Sequence, residues 1–243
     1  MQRDTWSWYS AALSREMPLA RFGHYGKPLL LFPTGGGDYL EMERFLMIRA
    51  LSPLIEAGRL KVYLLSNINR DGWINPEAAP AYKAHLQARF SEYVTQEVLP
   101  FVRKDCGDTD QKFAASGVSL GAYNAVNAAC RNPHWFDLVV TMSGTFDLQK
   151  WMDGHWDENF YYNHPMDFVR GLDGEPLTHL QQIQFLLAVG LGPWDNPRNS
   201  LRMGKVLKSK RVPTRVEIWG EDADHDWPTW RTMLPVFLNK LVP

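Results

Sequence analysis

Cysteine is nearly absent from this chain: Cys106 and Cys130 are the only two in 243 residues, and they have no metal-ligand spacing. A disulfide framework and a cysteine-based metal site are both ruled out as organising principles. Cys130 lies in an apolar helical pattern and reads as core, and Cys106, just before Gly107, reads as a helix-end residue. Excess charge is missing too. With 26 Lys and Arg against 27 Asp and Glu, the basic footprint of a nucleic-acid binder is not expected. No apolar run reaches the length of a membrane span, and the opening residues Met1-Gln2-Arg3-Asp4-Thr5-Trp6 contain no signal-peptide core, so the expected location is cytoplasmic. Repeats, low-complexity tracts and linkers are also lacking, which makes one domain over 1–243 the expectation. Self-association is left open.

What the chain does have is ample apolar content, 45% of its residues, and ten tryptophans. Strand and helix patterns alternate along it. Residues 5–13 and 16–22 read as two antiparallel strands, and 28–32 as an apolar strand buried on both faces. Further strands are expected at 61–65, 112–116, 138–142, 183–189 and 215–219. Helices are expected at 41–57, closed by Gly58, at 80–103, at 122–130 and at 228–241, where Pro235 suggests a kink. Trp6, Trp8 and Trp219 fall in strand patterns and read as packing residues. The stretch 148–178 is longer than a usual connection and carries Trp151, Trp156, Tyr161 and Tyr162, which suggests a small cap lending aromatic walls to a pocket.

One five-residue motif dominates the functional reading. Gly117-Val118-Ser119-Leu120-Gly121 sets a serine between two glycines where a strand pattern gives way to a helix pattern, the signature of a nucleophile elbow. Such a turn pushes the hydroxyl out at the carboxyl end of a sheet. A serine nucleophile needs a base, and among seven histidines His225 stands out: it follows the last strand and precedes Pro228, which marks the start of the terminal helix. His24, His85, His134 and His179 read as surface groups, and His155 and His164 as members of a solvated loop without metal spacing. The acid should follow a strand between serine and histidine. Asp195, after Gly190-Leu191-Gly192-Pro193-Trp194, is favoured; Asp147 is the alternative, and Asp222, Asp224 and Asp226 lie too near His225 in sequence.

The loop Pro33-Thr34-Gly35-Gly36-Gly37-Asp38 follows the third strand, where an acyl-transfer site finds an oxyanion donor. Gly36 is the leading candidate, with Gly35 and Gly37 as register alternatives, and the second donor is the Leu120 N–H. The loop lacks the lysine and spacing of a phosphate-binding motif.

Together these segments resemble the esterase D branch of the α/β-hydrolases, which includes S-formylglutathione hydrolases, mycolyltransferases and short uncharacterised bacterial esterases. The resemblance rests on the opening strand pair, 9–13 through 21–23, and on 32–37, 66–73, Gly117 to Gly121, Tyr161-Tyr162-Asn163-His164-Pro165, 190–195 and His225-Asp226-Trp227-Pro228. It implies a mostly parallel sheet with helices on both faces and a Ser119, Asp195, His225 triad that cleaves carboxylic esters through an acyl-enzyme, with no cofactor. It also implies that Trp73 belongs to the substrate pocket with Trp151, Trp156 and Tyr161. Relatives often carry His-Gly where this chain has Thr34-Gly35. Acyl transfer, thioester hydrolysis with the same triad, and a non-catalytic binding protein are the alternative functions.

Overall fold

The computed structural model describes residues 1–107 and 110–242. Within them the strands β1 (Arg3–Ser10), β2 (Arg15–Phe22), β3 (Lys27–Phe32), β4 (Leu60–Leu65), β5 (Phe113–Val118), β6 (Phe136–Met142), β7 (Gln184–Val189) and β8 (Thr214–Ile218) form one sheet in the order β1-β2-β4-β3-β5-β6-β7-β8. The β1–β2 and β2–β4 pairs are antiparallel and all the others parallel. This is the α/β-hydrolase sheet that the alternating pattern suggested.

Consecutive strand residues point to opposite faces, so each central strand feeds two cores at once. Leu30, Phe32, Tyr63, Ala115, Val139, Phe185 and Leu187 join one core; Leu29, Leu31, Val62, Leu64, Ala114, Val140, Leu186 and Ala188 join the other. A register shift between Phe113 and Ala114 is absorbed on β6, where Phe113 faces Phe136 and Ala114 faces Leu138, so Asp137 is the extra residue.

The helices are α1 (Glu41–Arg44), α2 (Met47–Glu56), α3 (Pro80–Tyr93), α4 (Leu99–Asp105), α5 (Leu120–Arg131), α6 (Glu158–Tyr161), α7 (Pro165–Gly171), α8 (Gly174–Leu180), α9 (Pro197–Ser209) and α10 (Trp227–Leu241). α2 and α10 cover one face, while α3, α4, α5, α7 and α9 cover the other. Two helical expectations need correction, and one helix was not expected at all. The helix over 41–57 is broken at Leu46, whose left-handed backbone (φ 63°) separates α1 from α2. The helix over 80–103 contains a π-helical turn, Val94–Val98, just before Pro100, whose missing N–H cannot continue the α-helical ladder. That turn carries Glu97, which accepts hydrogen bonds from Trp8 Nε1 (2.8 Å), Ser10 Oγ (2.8 Å) and the Ala12 N–H (3.1 Å) and so ties the helix to β1. Finally, α9 was not anticipated: Arg198, Arg202, Lys205 and Lys208 mask its apolar face of Met203, Val206 and Leu207. α10 runs on through Pro235.

The excursion between β6 and β7 holds a 3-10 turn (Gln149–Trp151) and then α6, α7 and α8. A buried polar seam pins it to the body. Asn163 accepts from Ser91 Oγ (2.6 Å) and Asn127 Nδ2 (3.2 Å) through its side chain and from the Tyr123 hydroxyl (2.6 Å) through its carbonyl. His164, read from sequence as a loop histidine in solvent, is buried: its Nδ1 pairs with Asp167, its Nε2 accepts from the Leu148 N–H (3.3 Å), and its ring stacks on Phe160. His155 pairs with Asp157 (2.9 Å) nearer the surface.

Candidate active site

Ser119 ends the run of β5 and opens α5 with φ 57° and ψ −121°, a conformation that few non-glycine residues adopt. The flanking glycines explain how so tight a turn fits. A Cβ on Gly117 would lie 2.3 Å from the Gly121 backbone, and one on Gly121 would lie 2.3 Å from the carbonyl oxygens of Phe32 and Pro33. The elbow is also stitched to its neighbours: the Ser119 N–H donates to Met142 O (3.1 Å), and the Thr145 N–H donates to Ser119 O (3.1 Å). Leu120 is the first residue of α5, so its N–H has no carbonyl one turn earlier to bond.

Asp195 and His225 arrive on two loops that touch backbone to backbone. A Cβ on Gly190 would strike Ala223 O at 1.8 Å, the Gly192 N–H donates to Ala223 O (3.1 Å), and the His225 N–H donates to Pro193 O (3.2 Å). Trp194, left-handed at φ 67°, precedes the acid. These contacts bring Asp195 Oδ1 to 3.0 Å from His225 Nδ1. Asp195 Oδ2 accepts from Ser143 Oγ (2.7 Å) and the Gly190 N–H (2.9 Å), and its side chain is 2% exposed. Burial by itself would raise the carboxyl pKa, but the hydrogen bonds from His225, Ser143 and Gly190 outweigh it and hold the group below the ordinary aspartate value. Asp147, the alternative acid, is occupied elsewhere: Arg202 and the Gln149 N–H (3.1 Å) bind its carboxylate, where it anchors the start of the excursion. Asp226 caps α10 through the Trp227 N–H (2.7 Å).

Ser119, Leu120 and His225 line one open cleft of about 470 Å³ together with Thr34, Gly35, Gly36, Ile74, Thr145, Lys150, Trp151, Asp226, Trp227 and Trp230. A larger cavity, about 540 Å³, opens at the other end of the sheet among Tyr25, Lys27, Arg59 and Asp137, away from the elbow. Of the four aromatic residues expected to wall the pocket, only Trp151 reaches it. Trp73 is buried in the core, with its Nε1 on Gln87 Oε1 (2.9 Å) and its ring behind Trp151 at 6.1 Å. Trp156 is 53% exposed and packs on Phe160 and Tyr161. Tyr161 lies on α6, against Tyr162 and Trp156, outside the cleft lining. Aromatic density drew attention to this segment, but its rings divide: Phe160 is buried against Trp73 of the body, whereas Trp156 and Tyr162 are exposed.

Several residues at the site escaped the sequence reading. The glycine loop is braced from below by Glu41, which accepts from the Thr34 N–H (2.7 Å) and Thr34 Oγ1 (2.6 Å). Burial raises the Glu41 pKa above the ordinary glutamate value, against the pull of the two Thr34 bonds. Asn67 Nδ2 donates to Thr34 O (2.8 Å) and Gly37 O (3.1 Å), and Arg70 grips Gly36 O through Nε (2.8 Å) and Nη2 (2.5 Å). The Gly37 N–H is taken by Thr34 O (3.2 Å). A Cβ on Gly36 would meet nothing within 4 Å, whereas one on Gly35 would meet Leu120 Cδ1 at 3.0 Å. The Thr34–Glu41 spacing of seven residues was the only available signal for this brace. Among the described residues, no group of three or more His, Cys, Asp or Glu side chains is arranged to hold a metal ion, and no helix is long and apolar enough to cross a membrane.

Among solved structures the chain resembles a ferulic acid esterase (18% identity, TM-score 0.73, covering 99% of this chain and 97% of that one). It is also similar to an S-formylglutathione hydrolase from Agrobacterium tumefaciens (14%, 0.72, 98% and 93%) and to MPT51 of Mycobacterium tuberculosis (14%, 0.70, 99% and 98%). At these identities the likeness speaks for the fold. No curated protein matches the chain by sequence. A family model described as Putative esterase matches residues 66–241, well over half of the chain, which therefore belongs to that family of esterases, the enzyme class its elbow motif had suggested.

Proposed function

We propose that the chain hydrolyses carboxylic esters with Ser119 as nucleophile, His225 as base and Asp195 as the acid that orients it. One observation carries this reading: an elbow serine and a histidine more than a hundred residues apart in sequence line one cleft, and the buried Asp195 carboxylate lies behind the imidazole on its Nδ1 side. With Nδ1–H donated to the carboxylate, the unprotonated Nε2 is the atom that accepts a proton. His225 Nε2 takes the Ser119 hydroxyl proton as Oγ attacks the ester carbonyl. The oxyanion of the tetrahedral intermediate is received by the N–H groups of Leu120 and Gly36. Collapse breaks the bond to the alkoxy oxygen, which leaves as the alcohol with the proton from His225. Water then repeats the sequence on the acyl-enzyme, releasing the carboxylic acid and restoring Ser119.

Gly36 is chosen over its neighbours because the Gly37 N–H is already bonded and Gly36 borders open space. The apolar lining residues Ile74, Trp151, Trp227 and Trp230 suit an ester with an apolar or aromatic portion of modest size. Ser119→Ala should abolish labelling by a fluorophosphonate probe and lower kcat on a p-nitrophenyl ester by about 10⁴-fold or more, with the fold intact by circular dichroism. Undiminished turnover in that variant would overturn the assignment.

A further inference from the structure

We infer that Ser143 and Trp230 are positioning residues for the acid and the histidine, acting as an indole N–H and a hydroxyl in series that fix the Asp195 carboxylate against His225. The inference rests on the triad proposed above and extends it by two residues that no motif marks.

Ser143 directly follows β6 and is 3% exposed, with a left-handed backbone of φ 52°. Glycine adopts that conformation freely and serine does not, so the hydroxyl is held there against a local preference. Its backbone N–H donates to Ala188 O (2.8 Å), which locks the turn to the end of β7. The side-chain geometry then sets the direction of every proton. Trp230 Nε1 lies 2.9 Å from Ser143 Oγ, and an indole nitrogen can only donate. Ser143 Oγ therefore accepts from Trp230, and its single proton goes to Asp195 Oδ2 at 2.7 Å. Oδ2 also takes the Gly190 N–H, leaving Oδ1 for His225 and the carboxylate with no freedom to rotate.

Trp230 acts twice. Besides starting the relay it sets its ring edge-on to the His225 imidazole, with centroids 5.1 Å apart at 80°. At 3% exposure it shields the pair from water on the α10 side. Few other charges face the pair. Asp224 and Asp226 share the histidine's loop, Lys150 lines the cleft, Arg231 on α10 is turned to Phe45 O, and Asp147 after β6 is turned to Arg202. The Ser143 hydroxyl and the Gly190 N–H are thus the dipoles that determine how basic the carboxylate is toward His225.

Ser143→Gly removes the hydroxyl and relaxes the left-handed backbone, so a loss in this variant cannot be blamed on strain. On a p-nitrophenyl ester its kcat should fall by about 10- to 100-fold with KM little changed, because the pair is misplaced while the cleft walls stay. The acid limb of its kcat/KM profile should move to higher pH, since a carboxylate stripped of one donor stabilises the imidazolium more. Trp230→Phe keeps a ring beside His225 and removes the N–H; it should shift both in the same direction by less. In series, the double variant should be no worse than Ser143→Gly alone, whereas two independent structural roles would multiply. The His225 titration, followed by NMR of the imidazole protons, should show the same upward shift whether or not the ester is turned over. Wild-type turnover with a Ser143→Gly profile and titration matching wild type would overturn the positioning role and leave the hydrolase assignment standing. Absence of any wild-type labelling or turnover would instead strike the assignment itself.

Discussion

On the rim of the sheet, Ser119, Ser143 and Trp194 hold φ values of 57°, 52° and 67°, and Gly117, Gly121 and Gly190 admit neighbouring backbone where no Cβ would fit. The excursion between β6 and β7 is held differently. Its order comes from side chains: Asn163 on Ser91, Asn127 and Tyr123, His164 on Asp167 and Leu148, and Phe160 wedged among Trp73, Trp156 and His164. Beyond the Ser143 turn, its left-handed residues Asp153, Gly154 and Gly174 are all exposed. The contrast separates two kinds of precision. Where the backbone is forced, one side chain is aimed to within a narrow cone; where side chains interlock, many residues share the task and none of them is the chemistry.

That contrast can be broken most sharply at the acids, which stand one on each side of it. Asp195→Asn should reduce kcat by up to about 10⁴-fold near neutral pH, because the amide presents a donor to an imidazole that needs an acceptor. Asp147→Asn keeps the Gln149 cap and gives up the charge that pairs with Arg202 and faces His164 Nε2 at 3.8 Å, both outside the cleft, so its kcat should stay within about threefold of wild type. Steady-state kinetics on both variants decides it, and a severe loss at Asp147 would move the acid into the excursion.

A smaller effect is expected beneath the oxyanion loop. Glu41→Ala removes the brace on Thr34 and should lower kcat by about 10-fold, whereas Glu41→Gln can still accept from the Thr34 N–H while donating to Oγ1 and should remain close to wild type. The two also differ with pH. Since burial raises the Glu41 pKa, the folded state favours its protonated form; that contribution is complete below the ordinary glutamate value of about 4.3 and is lost as pH rises through the raised one. The Tm of Glu41→Gln relative to wild type should therefore climb between acid and neutral pH. A flat difference in scanning fluorimetry would mean that Glu41 titrates as an exposed residue does.

The smallest effects sharpen the comparison inside the aromatic segment. Trp151→Ala should change the preference across an ester chain-length panel, because this ring lines the cleft. Trp156→Ala should leave the preference unchanged within about twofold, being half-exposed and outside the cleft. Equal shifts from both would restore the whole excursion as a pocket wall.

Legibility followed the same divide. The elbow, the glycine loop and the loop end bearing His225 could be read because each demands particular residue types at consecutive positions: Gly117 and Gly121 around Ser119, three glycines after Thr34, Pro228 behind the histidine. The strands could be read from short apolar runs. Ser143 and Trp230 could not, since their partners lie 52 and 87 residues away and nothing in the intervening sequence marks the pairing, and Glu41 offered no more than its spacing of 7 from Thr34. Trp73, Trp156 and Tyr161 misled for a related reason. Composition records how many aromatic rings a segment has but not which way they turn: Trp73 is held by Gln87 of α3 and Tyr123 of α5, whereas Trp156 and Tyr161 pack on each other.

The sheet's two-sided alternation carries a consequence for how such a chain can change over time. Inserting one residue inside β3, β5 or β6 would exchange the two cores, sending Leu29 and Leu31 where Leu30 and Phe32 belong. The strands can therefore drift in identity but hardly in length. Asp137 shows what is tolerated: a single extra residue, taken up at the start of β6 before most of its core positions begin. Length variation is pushed to the strand ends, and at the carboxyl ends those connections are the loops that carry Gly36, Asp195 and His225. The edge of the molecule most free to accept new segments is the one that meets substrate, so a change in specificity need not disturb the cores beneath it.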